Sequence, residues 1–129
     1  MTNSRRTPDK PTRTLVLGAG GHGRVVLDIL LQTGRHEVAG FLDNNAEIHG
    51  RRIDGIPVLG ALDDLSRLAA ELDIAGVIIA IGDNGVRRGL ARRVDAAGID
   101  LLNAIHPSAT LAHNATLGRN VVIAAGVVV

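Results

Sequence analysis

The spacing of apolar residues changes character several times along this chain, and each change predicts a different element. "RTLVLG" is a short β-branched and aliphatic run that reads as a strand, and the glycines from Gly18 to Gly23 follow at once as a turn. Val25, Val26, Ile29 and Leu30 then recur at helical spacing, with Gly34 placed to stop the helix. "HEVAGFLD" predicts a second strand ending at Asp43, "NNAEIHGRRIDG" a polar loop, and "IPVLG" a short strand. Asp63 or Asp64 is positioned to cap a helix whose apolar positions are Leu65, Leu68, Ala69 and Leu72. "AGVIIAIG" is a continuous β-branched run, the pattern of a central strand covered on both faces. "DNGVRRGLARRVDAAG" reads as a helix from about Asn84 with Arg87, Arg88, Arg92 and Arg93 on its solvated side, and "IDLLNAIH" as one more strand.

This alternation of strands and helices describes a doubly wound α/β unit around a parallel sheet. From Leu111 neither period continues. Leu111, Leu117, Ile123 and Val129 recur every six residues, and Ala112, Gly118 or Ala124 directly follows each of the first three. Such hexapeptides build a parallel β-helix, with the aliphatic residue turned inward and the small one at the corner. Three hexapeptides make about one coil, and stacked repeats need neighbours to cover their ends, so the chain reads as cut short in "VVIAAGVVV". The expected division is a disordered leader over residues 1–13, a Rossmann-like domain over 14–105, and the incomplete start of the β-helix over 106–129.

Composition narrows the classes. The 129 residues carry one aromatic side chain, Phe41, so the core rests on aliphatic packing. Fourteen basic residues face thirteen acidic ones, a balance that does not suggest a nucleic-acid surface. The absence of Cys excludes disulfides and thiolate metal sites, and no metal site is expected. Neither a secretory signal nor an uninterrupted membrane span is visible, so a cytoplasmic protein without membrane insertion is the simplest expectation.

The candidate chemistry sits in "GAGGHG". Gly18, Gly20 and Gly23 satisfy GxGxxG between a strand and a helix, where free N–H groups and the helix dipole favour a phosphate. Asp43 follows about twenty residues on, where an acidic side chain can accept from a ribose hydroxyl. Spacing alone would favour NAD. Against it, the α/β unit ends near residue 105 with no catalytic domain after it, His22 stands inside the turn as a potential donor to a phosphate or sugar oxygen, and hexapeptides follow directly.

A nucleotide-binding unit joined to hexapeptides resembles the bacterial sugar O- or N-acyltransferases of the NeuD/PglD type. The resemblance runs from about Thr14 to Val129 and is carried by "GAGGHG", "GFLDNN", "PVLG", "AIGDN" and "IHPSATLAHNATLGRNVVI" in that order. It implies that the β-helix is left-handed and that the full-length proteins are trimers moving an acetyl group from acetyl-CoA to a nucleotide-linked amino sugar or a sialic-acid-type hydroxyl. It also implies that this part holds a UDP-sugar and no cofactor of its own. Gly20, Gly21 and His22 would contact phosphate and sugar, Asp43 and Asn44 would lie at the nucleoside, and Gly82, Asp83 and Asn84 would line the end of the central strand. The catalytic histidine and the CoA site would lie in later coils, leaving no catalytic residue in this chain and no trimer formed by it. His106 reads as a linker residue and His113 as an exposed turn residue. Two other readings stand beside this one: a module for NAD or another dinucleotide, and a non-enzymatic piece completed by a partner.

Overall fold

A computed structural model describes residues 10–129. The leader expected over residues 1–13 therefore lies largely outside the described residues, while Thr12 and Arg13 already belong to the first strand. In chain order the strands are β1 (Thr12–Leu17), β2 (His36–Leu42), β3 (Arg52–Ile53), β4 (Ile56–Gly60), β5 (Gly76–Ile79), β6 (Asp100–Leu101), β7 (Ala104–Ile105) and β8 (Val122–Ile123). The helices are α1 (Gly21–Thr33), α2 (Leu65–Glu71) and α3 (Asn84–Ala96). Six strands form one sheet in the order β3-β4-β2-β1-β5-β6, parallel throughout except for the β3–β4 pair.

The period-two alternation of the inner strands divides the core in two. Leu15, Leu17, Val77 and Ile79 face Leu65 and Leu68 of α2 and Leu90 and Val94 of α3. Val16, Phe41 and Ile78 face Val26, Leu27 and Leu30 of α1. Val38 and Phe41 share this second face although they lie three residues apart, because an extra residue in β2 shifts its register against β1 between Thr14 and Leu15. The strand expected to be central, β5, is interior but lies one place from the middle; β1 and β2 hold the centre.

Several local expectations are corrected. Val25 is half exposed, and Leu27 takes its place in a buried stripe with Gly23, Val26 and Leu30, which is the i, i+3, i+4, i+7 set. The polar stretch after Asp43 holds a 3-10 turn at Ala46–Ile48 and strand β3, because Asp54 and Gly55, both at positive φ, make a two-residue hairpin turn into β4. Asp64 stands at the N-cap of α2 but makes no side-chain bond to that helix; its carboxylate accepts from the Ala61 N–H of the preceding turn, which holds its pKa below the ordinary carboxylate value.

"IDLLNAIH" is two strands. β6 closes the edge of the main sheet, and β7 instead pairs with β8, parallel and 18 residues away. A second parallel bridge, Thr110 to Val128, keeps the same 18-residue offset, so the chain completes a turn every three hexapeptides. Of the four residues in the inward phase, Ile123 is buried, while Leu111 and Val129 are exposed because no further coil covers them among the described residues.

Two asparagines fasten this coil to the α/β unit. β6 ends at Leu101, so Ile79 of β5 would lack a partner on that side; the Asn120 amide accepts from the Ile79 N–H (2.7 Å) and donates to the Ile79 carbonyl (3.0 Å). Asn103 accepts from the Val121 N–H and donates to the Gly118 carbonyl. Asn120→Ala removes both bonds to Ile79 and leaves a buried backbone N–H unsatisfied, so it should cost about 2 kcal/mol in urea unfolding. An unchanged midpoint would show that the amide does not secure the coil.

His36 adds a pH dependence. Its pKa is lowered from 6.5 by burial first and by the charge of Arg35 second. The folded chain thus favours the neutral ring, and its contribution to stability is full above the unfolded value near 6.5 and is lost as pH falls toward the folded value. The ring should titrate with a midpoint below 6.5 by NMR, and the stability of a His36→Gln variant should fall less on going from pH 7 to pH 5 than that of the native chain.

Candidate functional site

All eight residues singled out from the sequence lie at the C-terminal ends of parallel strands. Gly20, Gly21 and His22 follow β1, Asp43 and Asn44 follow β2, and Gly82, Asp83 and Asn84 follow β5. From β1 the chain moves to β2 on one side and returns to β5 on the other, with α1 on one face and α3 on the opposite face. The strand order therefore reverses between β1 and β5, and a crevice at such a point is the usual ligand position of open α/β sheets.

The glycines of the turn divide into two kinds. Gly18 has φ +111°, and a Cβ there would lie 2.5 Å from the Ala80 carbonyl oxygen at the end of β5. At Gly23 a Cβ would lie 2.0 Å from the Gly18 carbonyl oxygen. These two positions are closed by the protein's own backbone. At Gly20, Gly21 and Gly82 nothing lies within 4 Å of the same position. Packing does not demand glycine there, and Gly20 and Gly21 stand at the start of α1, whose first N–H groups have no acceptors within the helix. His22, the second residue of that helix, is exposed.

Asp43 ties the loops together. One carboxylate oxygen accepts from the Ala19 N–H inside the glycine turn (2.8 Å), and the other accepts from the Asn45 N–H (2.8 Å). Asn44 accepts from the Leu62 N–H, fixing the loop after β4, and Asp83 accepts from the Val86 N–H as the N-cap of α3. These three side chains therefore hold the rim of the crevice in place. Beside Asn44, Asp63, Val86 and Arg93 border a cleft of about 210 Å³ between the β4–α2 loop and α3.

Sequence reasoning missed His49, whose Nε2–H donates to the Asp43 carbonyl at 2.6 Å. It lies in a segment with no hydrophobic period, and only the hairpin after it brings it back to the rim. His106 is more than a linker: its Nδ1 accepts from the Ser108 N–H, and its Nε2–H donates to Gln32 of α1. His113 lies exposed in a turn.

The fold is an open, mostly parallel α/β sheet joined to a coil of hexapeptide repeats. Residues 13–94 match the PglD N-terminal domain, and the chain belongs to that family. Over 113 residues it is 32% identical to UDP-N-acetylbacillosamine N-acetyltransferase of Bacillus subtilis (strain 168), covering 85% of this chain and 50% of that one. A variant of perosamine N-acetyltransferase from Caulobacter crescentus, solved with CoA and GDP-perosamine, superposes with a TM-score of 0.79 at 36% identity over 90% of this chain and 53% of that one. The acetyltransferase domain of PglB from Neisseria gonorrhoeae, solved with acetyl coenzyme A, gives 0.79 at 33% identity over 92% and 56%. The chain spans about half the length of these relatives. The likeness to NeuD/PglD-type sugar acyltransferases is thus shown.

Gly23→Ala should lose roughly 3 kcal/mol or more, because its Cβ meets backbone that cannot move without opening the β1–α1 turn. Gly20→Ala, at an open position, should melt within about 2 °C of the native chain. Equal losses in the two variants would contradict this division of the glycines.

Proposed function

We propose that this chain is the sugar-nucleotide-binding part of an acetyl-CoA-dependent sugar acyltransferase. Its ligand is a UDP-sugar or a related nucleoside-diphosphate sugar with an amino group or hydroxyl to be acylated. The observation that carries this reading is the open space at Gly20, Gly21 and Gly82, glycines that follow β1 and β5 on either side of the strand reversal and that the packing itself does not require. The diphosphate lies against the N–H groups at the start of α1, where the helix dipole favours negative charge. His22 donates a ring N–H to a phosphate or sugar oxygen, and the nucleoside lies toward Asp43 and Asn44, beside the cleft at Val86. Gly82, Asp83 and Asn84 form the opposite wall.

One finding supports the sugar nucleotide over NAD. Relatives more than 30% identical carry N-acetyltransferase names, and one is solved with GDP-perosamine. No catalytic base is assigned among these residues. Acetyl-CoA enters as co-substrate of the whole protein, and the whole protein as a trimer built on the β-helix. The domain division proposed from the sequence, 14–105 for binding and 106–129 for the first coil, is kept in outline, with Thr12 and Arg13 joining the binding part and β7 joining the coil.

Calorimetric titrations with a UDP-sugar, a GDP-sugar and NAD test it side by side. A saturable response to a sugar nucleotide is expected, weakened about tenfold by His22→Ala, the loss of one charge-assisted bond. Saturable NAD binding with no response to either sugar nucleotide would overturn the proposal, and unchanged affinity in His22→Ala would remove the contact assigned to that residue.

A further inference from the structure

The four arginines of α3 read from the sequence as one solvated face, but the structure gives them different surroundings. Arg93 leans across to Asp63 and to the Leu62 carbonyl. Arg92 is exposed. Asn84, Arg87 and Arg88, which share a helix face at i, i+3 and i+4, form one wall of a groove of about 310 Å³. The opposite wall includes Arg119 and Asn120 of the hexapeptide segment.

Arg119 is brought there by the same contact that secures the coil: its neighbour Asn120 is bound to Ile79 at the open edge of β5. Its guanidinium is held in turn by Asp95 of α3. Arg87 and Arg88 form no ion pair among the described residues. Three guanidiniums therefore border one groove, and no acidic side chain lines it. Arginine keeps its charge at any working pH; Asp95 offsets Arg119, and Arg87 and Arg88 are left to counter-ions or to a multivalent anion. Planar guanidiniums also match phosphate oxygens two at a time, which a diffuse ion atmosphere does not exploit.

We propose that this groove is an anion site for a diphosphate or phosphate monoester, with Arg87 and Arg88 as its main contacts and Arg119 as a third, positioned by Asp95. The inference stands on the groove itself and does not need the function proposed above. Two nucleotides of that function carry such a group, a sugar nucleotide and CoA, and the groove shares Asn84 with the crevice.

Inorganic pyrophosphate is the primary probe, titrated calorimetrically at low salt into the native chain, an Arg87→Gln/Arg88→Gln variant and an Arg92→Gln variant. The double variant should bind at least about fivefold more weakly, and Arg92→Gln within about twofold of the native chain, because removing bidentate contacts costs more than removing distant charge. All three proteins should melt within a few degrees of one another, since the substituted side chains are exposed. Equal affinity in the double variant and the native chain, or an equal loss in Arg92→Gln, would overturn the proposal. With the pyrophosphate result in hand, the source is read from nucleotides: a loss confined to UDP in the double variant supports a sugar-nucleotide diphosphate, a loss for CoA and dephospho-CoA alike supports the diphosphate of the co-substrate, and a loss for CoA alone supports its 3′-phosphate. Failure of the UDP-sugar titration above leaves the pyrophosphate arm intact, so the two proposals fail separately.

Discussion

At Gly23 the first turn of α1 lies against the carbonyl of Gly18 with no room for a side chain. That contact sets the angle at which the chain leaves β1, and with it the place where the helix presents its unpaired N–H groups. Gly18 in turn lies against the end of β5. The turn is thereby fixed to both strands that flank the point of reversal. Asp43 completes the arrangement by holding Ala19 from the β2 side. The turn is closed by backbone at Gly18 and Gly23 and open at Gly20 and Gly21.

The joint with the hexapeptide segment depends on a different device. β6 is only two residues long, and the sheet edge beyond it is completed by a side-chain amide instead of a strand. Asn120 can do this because its side-chain amide presents an oxygen acceptor and an N–H donor side by side, and because Asn tolerates the positive φ it adopts, +58°. Asn103, just before β7, makes the matching pair of bonds from the α/β side, to Gly118 and Val121 of the coil. Ala104 and Val122 then extend the α1-side core, so the first coil packs as a continuation of the α/β unit. The arginine groove follows from this joint, since the residue next to Asn120 is Arg119.

Most of the element order was legible in the sequence because the inner strands and helices bury well-defined stripes, and burial leaves a period. Legibility failed where a residue's environment depends on something distant. Val25 and Leu27 are equally apolar, and only the direction of α1 across the sheet decides which is covered. β3 carries no hydrophobic period, and its pairing rests on the Asp54–Gly55 turn. "IDLLNAIH" reads as one strand because the division within it is made by competing partners, β5 and β8. At the candidate site, the glycine turn and Asp43 were visible from spacing. His49 was not, and neither was the commitment of Asp43, Asn44 and Asp83 to backbone N–H groups.

By itself the sequence determined the parallel α/β unit, the glycine turn at its first crossover and the six-residue phase that follows, since these are properties of local spacing and of residues with few conformational options. Tertiary structure decided which glycines are forced by contact and which leave space, because that difference lies in carbonyls up to 62 residues away. It also decided that the arginines of α3 are not alike. Their sequence positions give the same helix surface, but long-range packing sends one to Asp63, leaves one in solvent and sets two opposite Arg119.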